Sequence, residues 1–255
     1  MKVTVMSDLH LEFDRVNNPF HPGEGEVLIL AGDICTSVDL LSGGVVGKMY
    51  DNFFAECVKN YDKVFYTAGN HESYDGVLSE TDKILDSIPG VTYLQNHFEI
   101  YNDWMFIGAT LWTDFNKFDF EKMSLAIESM NDYRYIYDDA SPINPLTTHT
   151  IHQNTVNYLS QVIAGSSHKV FVFTHHAPSL VSAINSSRSG SLIHSYASNL
   201  EDLIRANKNI KYWAHGHIHE SQNYMIDQCN VFSNPRGYCG YGLNPDFNKQ
   251  MTINL

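Results

Sequence analysis

Residues 66–75 read "YTAGNHESYD": an apolar run ends at Gly69 and is followed at once by an amide, an imidazole and a carboxylate, Asn70, His71 and Glu72. Inside a sheet covered on both faces three such groups would be buried without partners, so they belong at the strand's exit. The same punctuation recurs after four other apolar runs. "KVTVM" (2–6) leads to Asp8-Leu9-His10 and "EVLILAG" (26–32) to Gly32-Asp33. "KVFVFTH" (169–175) closes on His175-His176, and "IKYWAHG" (210–216) on Gly216-His217-Ile218-His219. Side chains emitted at the carboxyl ends of neighbouring strands converge on one crevice although they are remote in the chain. Glycines at 32, 69 and 216 suit sharp exits where another atom must come close.

Working outward, a sixth run, "WMFIGATL" (104–111), also reads as a buried strand. Helical spacing fills several of the gaps. Met49, Phe53, Phe54, Cys57, Val58 and Tyr61 fall on one face of 47–61, and 119–130, 147–164 and 199–207 behave likewise, with Asn199 as an N-cap for the last. Strand–helix alternation predicts an α/β layered domain. The tail from Asn223 reads as short strands and loops closing a second sheet, and 112–146 as a helix flanked by long loops. Without a repeat, low-complexity tract or linker, residues 1–255 are expected to form one domain.

The charge narrows the function classes. With 29 acidic against 16 basic residues the formal net charge is −13, which disfavours broad attraction to nucleic acid or to an anionic membrane. The four cysteines (35, 57, 229 and 239) form no C-x-x-C pair and read as free thiols in a reducing compartment. Asp8 comes too early for a secretory apolar stretch, and no apolar run approaches the roughly 20 residues that span a bilayer. A cytoplasmic location and no membrane partner are the resulting expectations.

Carboxylate, amide and imidazole without thiolate suit hard or borderline divalent ions: Mn, Fe, Co, Ni or Zn. Asp8-x-His10 can grip one ion, Gly-His217-x-His219 can serve two neighbouring ions, and the two oxygens of Asp33 could bridge a pair. Metal pairs of roughly 3.5–4 Å separation clamp the attacking and departing oxygens of a displacement at phosphorus.

The ordered series D-x-H, G-D, G-N-H-E, H-H-x-P and G-H-x-H, from residue 8 to 219, resembles the calcineurin-like metallophosphoesterase superfamily, and "NPRGY" (234–238) is similar to bacterial and phage-type members. The resemblance implies a fold of two central β-sheets flanked by helices in four layers. It implies that Asp8, His10 and His219 hold a first divalent ion, that Asp33 bridges, and that Asn70, His175 and His217 complete a second. His71 would stand near the departing oxygen as the catalytic residue, with Glu72 or another carboxylate orienting the site. A hydroxide held between the ions would attack phosphorus directly. "GDICTSVDL" lacks the G-D-x-x-D-R-G segment of the phosphoprotein phosphatases, which argues against a Ser/Thr phosphatase, while "THHAP" resembles phosphodiesterase branches.

The function implied is hydrolysis of a phosphodiester or phosphomonoester of a small molecule or nucleotide. The alternatives are a nuclease of the same fold, against which the acidic charge weighs, and a silent binding scaffold such as a retromer subunit, against which the complete donor set weighs. His175 and His176 remain open as alternative ligands, with His175 preferred at the strand's end. Arg236, Tyr238, Tyr133 and Arg134 are candidates to touch substrate; His149 and His152 read as surface imidazoles and Cys35 as a buried filler.

Overall fold

Alternate side chains of each apolar run go to opposite faces, and this period-two rule builds the molecule. The computed structural model describes residues 1–15, 19–186 and 190–255 and contains two main sheets. The first orders Thr252–Asn254, Lys2–Met6, Gly25–Ala31, Tyr61–Thr67 and Thr92–Tyr93; all pairs are parallel except the edge formed by Thr252–Asn254. The second orders Gln222–Ile226, Cys229–Ser233, Ile210–His215, Lys169–Thr174, Trp104–Ala109 and His97–Tyr101, with four parallel strands between two antiparallel edges.

Val3, Val5, Val27, Ile29 and Phe65 of the first sheet meet Phe106, Phe171, Phe173 and Phe232 of the second in one buried cluster. Phe65 stacks on Phe106 at 4.7 Å between ring centroids. Burying a side chain of this size contributes about 1.5–3 kcal/mol. The intervening Leu28, Leu30, Val64 and Tyr66 face outward onto Met49, Phe53, Phe54 and Cys57 of helix Val45–Asn60. On the far side Met105, Ile107, Val170 and Val172 pack against Leu159 and Ile163 of helix Pro145–Ala164 and Ile204 of helix Glu201–Ala206. The result is the four-layer α/β sandwich.

Several local expectations need correction. The tail closes both sheets, since Thr252–Asn254 pairs with Lys2–Met6 in the first rather than joining the second. Region 112–146 holds helix Phe120–Ser129, capped by the Asp119 side chain, but also short helical turns at Phe115–Phe118 and Asp132–Tyr135. Helix Leu78–Asp86 leaves little mark in the sequence, because only Thr81 and Leu85 of it are buried, too few for a readable stripe. Helix Pro145–Ala164 starts two residues before its apolar pattern does, because the Asn144 side chain accepts from the Leu146 and Thr147 amides. His149 and His152 lie on its buried face rather than at the surface, His149 against Phe118 and His152 donating to the Leu111 carbonyl.

Candidate metal centre

The parallel strands deliver their carboxyl ends to one rim, and the backbone there is held in unusual conformations. Gly32 has φ +82°, and a Cβ on it would come within 2.5 Å of His175 Nδ1; one on Gly69 would sit 2.2 Å from Asp33 Oδ1. Five non-glycine residues of the rim are left-handed: Asp8 (φ 52°), His10 (46°), Asp33 (55°), His217 (69°) and His219 (59°). Each such residue costs on the order of 1–3 kcal/mol, and strain of this kind persists where the surroundings over-determine it.

Glu72 supplies much of that determination. Its Oε2 accepts from the amides of Asp33 (3.0 Å) and Gly69 (2.7 Å), and its Oε1 from the Ile34 amide (2.6 Å) and the Tyr66 hydroxyl (2.7 Å). One buried carboxyl thus staples two strand exits together. Burial, and then the neighbouring Asp33, lift its pKa to about 7.

The seven candidate ligands come together in two overlapping groups. Asp8, His10, Asp33 and His219 each offer an atom within 4.8 Å of the others, and so do Asp33, His175 and His217. Asp33 Oδ2 lies between the groups, 3.6 Å from His10 Nε2 and 3.2 Å from His175 Nε2. Asn70 Oδ1 joins the second group, 3.0 Å from His175 Nε2 and 3.1 Å from His217 Nδ1.

Two contacts test whether these residues fit a cation. His10 Nε2 faces His219 Nε2 at 3.1 Å, and His175 Nε2 faces His217 Nδ1 at 3.2 Å. Two ring nitrogens at that range need a proton or a cation between their lone pairs. Asp8 Oδ2 and His217 Nε2 are buried with no hydrogen-bond partner among the described residues. Burial opposes charge on His175, yet the Asp33 carboxylate overcomes it and raises the pKa to about 10, whereas burial keeps His10 and His217 below the usual imidazole value. A donor set of carboxylates, an amide and imidazoles fits a hard or borderline divalent ion.

Outer partners fix the donors' orientation. His175 Nδ1 donates to the Ala31 carbonyl at 3.0 Å, which leaves Nε2 for the centre. His10 Nδ1 donates to Glu12 Oε1 at 2.9 Å, with the same consequence. Asn70 Nδ2 donates to Asp132 Oδ1 at 2.7 Å, and the Tyr74 hydroxyl donates to that same oxygen at 2.7 Å, so the amide oxygen is turned toward the histidines. His176 turns the other way: its Nδ1 donates to the Thr110 carbonyl at 3.1 Å, and burial followed by repulsion from His175 pushes its pKa down to about 3.

His71 stands beside both groups. Its Nδ1 donates to Glu12 Oε1 at 2.9 Å, its ring stacks on Tyr74 at 4.1 Å, and its Nε2 is 3.4 Å from the Tyr238 hydroxyl. Burial again opposes charge, but Asp33 and Glu12 outweigh it and lift His71 to about 9. Burial would raise Glu12 as well; the hydrogen bonds from His10 and His71 prevail and bring it down to about 2.

Glu12 and Asp132 are the site residues that the motifs do not contain. Glu12, not Glu72, contacts the His71 ring; its position two residues after His10, which lets both side chains point to one place, was the available signal. Three substrate candidates face elsewhere. Arg236 pairs with Asp14 at 2.8 Å, donates to the Leu9 carbonyl and covers the Phe20 ring; Tyr133 bonds Thr148; Arg134 donates to the Glu128 carbonyl. Tyr238 does line the cleft. Cys35 is buried beside Tyr66, and all four cysteines are unpaired. Among the described residues no helix is long and apolar enough to cross a membrane.

A family model described as calcineurin-like phosphoesterase matches residues 1–221. An uncharacterized protein of Acanthamoeba polyphaga mimivirus is 26% identical over 262 residues, which cover 91% of this chain and 90% of that protein. Among solved structures, phosphopantetheinyl hydrolase from Mycobacterium tuberculosis has a TM-score of 0.71 at 15% identity, covering 93% of this chain and 89% of that one. A structure from Staphylococcus aureus named as a 5′-nucleotidase has a TM-score of 0.54 at 14% identity, over 91% of this chain and 48% of its own, about half its length. At these identities the likeness concerns the fold.

Proposed function

This chain belongs to the calcineurin-like phosphoesterase family, and from that premise we propose that residues 1–255 act as one hydrolytic domain, cleaving a phosphomonoester or phosphodiester of a small molecule or nucleotide. Asp8, His10 and His219 would hold one divalent ion and Asn70, His175 and His217 a second, with Asp33 available to both. The observation that carries this reading is the position of Asp33 Oδ2 between two groups of inward-facing donors. The strained backbone at Asp8, His10, Asp33, His217 and His219 supports it, because evident gain is needed to keep five left-handed residues in one place.

Two divalent ions, when bound, polarise phosphoryl oxygens and make water a stronger nucleophile at neutral pH. The chain's own residues do the rest. Glu12 holds the His71 ring by Nδ1, so Nε2 is presented to the cleft, where it can donate a proton to the oxygen that departs from phosphorus. Asp132 and Tyr74 keep the Asn70 oxygen turned inward. Glu72 keeps the loops of Asp33 and Gly69 at a fixed separation. Manganese, iron, cobalt, nickel and zinc all suit the donors. Four unpaired cysteines suit a reducing compartment such as the cytoplasm.

The net charge of −13 weighs against a nuclease, and the intact donor set against a silent scaffold. The test is a panel of p-nitrophenyl phosphate and bis(p-nitrophenyl) phosphate with manganese or with chelator. Hydrolysis that chelator abolishes and manganese restores is expected; equal rates with and without cation, above background, would overturn the proposal. Cleavage of single-stranded DNA that falls with salt would favour the nuclease instead.

A further inference from the structure

Above the donors opens a cleft of about 770 Å³, and its walls differ from its floor. One wall is an edge-to-face cluster in which Phe13 lies 5.3 Å from Tyr238 and 5.8 Å from Tyr241 between ring centroids. The other pairs Tyr74 with Tyr135 at 6.0 Å. His71 stands where they meet, stacked on Tyr74 at 4.1 Å and 5.9 Å from Tyr238. Tyr241 is 83% exposed and Tyr135 45%, so both rings leave much of their surface open to water. Such rings gain most from a second flat face laid against them.

Charge supplies an independent observation. Asp39 and Asp75 line the cleft together with Glu12, and among the described residues no Lys or Arg does. Sites that take polyphosphates or polynucleotides neutralise each added phosphate with a cation. A phosphate beyond the one at the centre would share the cleft with Asp39 and Asp75 and, among the described residues, find no Lys or Arg in its lining.

We infer that the substrate is an ester with a single phosphate whose organic group carries a flat ring, held between the Phe13–Tyr238–Tyr241 and Tyr74–Tyr135 walls on the departing side. The inference rests on the phosphoesterase reading above and narrows its substrate class. In the hydrolysis water adds across the P–O bond: phosphorus keeps the new oxygen, and the ring-bearing alcohol leaves with the proton.

The experiment measures binding by calorimetry on the manganese-loaded chain, with phenylphosphonate against methylphosphonate, neither of which has a P–O ester bond to lose. Phenylphosphonate is expected to bind roughly ten-fold more tightly, the scale of a buried ring contact. In the Tyr135→Ala/Tyr241→Ala variant that ratio falls below about two-fold while methylphosphonate affinity is unchanged, and the Tyr135→Phe/Tyr241→Phe variant restores it. The thermal melt of both variants is recorded alongside; Tyr241 is 83% exposed and Tyr135 45%, so any shift is expected from the Tyr74–Tyr135 contact, and the Phe variant, which keeps that contact, controls for it. At matched free manganese, AMP competes with bis(p-nitrophenyl) phosphate better than ATP does. Equal affinity for the two phosphonates, a ratio that survives the alanine variant, or stronger competition by ATP overturns the inference while leaving the phosphoesterase intact. If no phosphonate binds and no ester is hydrolysed, the underlying reading falls and takes this inference with it.

Discussion

The floor of the cleft and its mouth are built by opposite rules. At the floor, Asp8, His10, Asp33 and His175 are at most 1% exposed, their donor atoms are oriented by outer partners, and several sit on left-handed backbone. At the mouth, Phe13, Tyr135 and Tyr241 are partly open to water and are held by ring contacts. Coordination tolerates only about 0.2 Å of error, which demands a rigid frame. Stacking tolerates wide variation in geometry, so a looser wall can still select a ligand. Rigidity therefore goes where the chemistry is, and exposure where recognition is.

The sharpest way to break this contrast is Asp33→Asn. If the floor is organised round the shared carboxylate, cation content drops and turnover falls by about 10²–10³-fold, the scale of losing an electrostatic group at the reacting centre. Elemental analysis with a kinetic assay checks both, and a variant with full cation content and near-normal turnover would leave Asp33 a bystander. Next comes His71→Ala, on the border of the two regions. Turnover is expected to fall about 10²–10⁴-fold, most for esters with poor leaving groups, with bound metal unchanged. Metal lost in parallel with activity would put His71 among the ligands.

Asp132→Ala probes how the floor is held from outside. Freed from Asp132, the Asn70 amide can turn its nitrogen inward, and affinity for the second ion should fall about 10–100-fold while the first is kept. A titration in which both ions weaken equally would contradict the separate roles of the two groups. The smallest effect belongs to the mouth: Tyr241→Ala alone should lower kcat/KM on aryl esters by at most about ten-fold and leave alkyl esters and metal content untouched. A metal content that drops with Tyr241 would erase the distinction between floor and mouth.

The same contrast governs what could be read in the sequence. Asp33, Asn70, His175 and His217 each follow a strand's last apolar residues, so a local pattern marks them, and the parallel sheets carry that pattern to one rim. Asp132 bears on Asn70 from 62 positions away, in a four-residue turn with no periodicity to announce it. Glu12 lies two residues beyond His10, outside the strand-end pattern, and only the folded chain brings it to the His71 ring. Arg236 pairs with Asp14, and because an Arg fork matches carboxylate as well as phosphate its residue type alone does not reveal which it meets. The aromatic walls come from residues at 13, 74, 135, 238 and 241, a grouping that exists only after folding. In the fold, the long parallel strands were legible from β-branched runs, whereas Thr252–Asn254 is three residues long and its partner lies at the opposite terminus.

Electron paramagnetic resonance of the chain loaded with manganese tests the central claim most directly, because ions that share a carboxylate bridge are exchange-coupled. About two manganese per chain and a coupled-pair spectrum that collapses in Asp33→Asn are expected. A single uncoupled ion, or a correctly folded chain that takes up no manganese, iron, nickel or zinc at all, would contradict that claim.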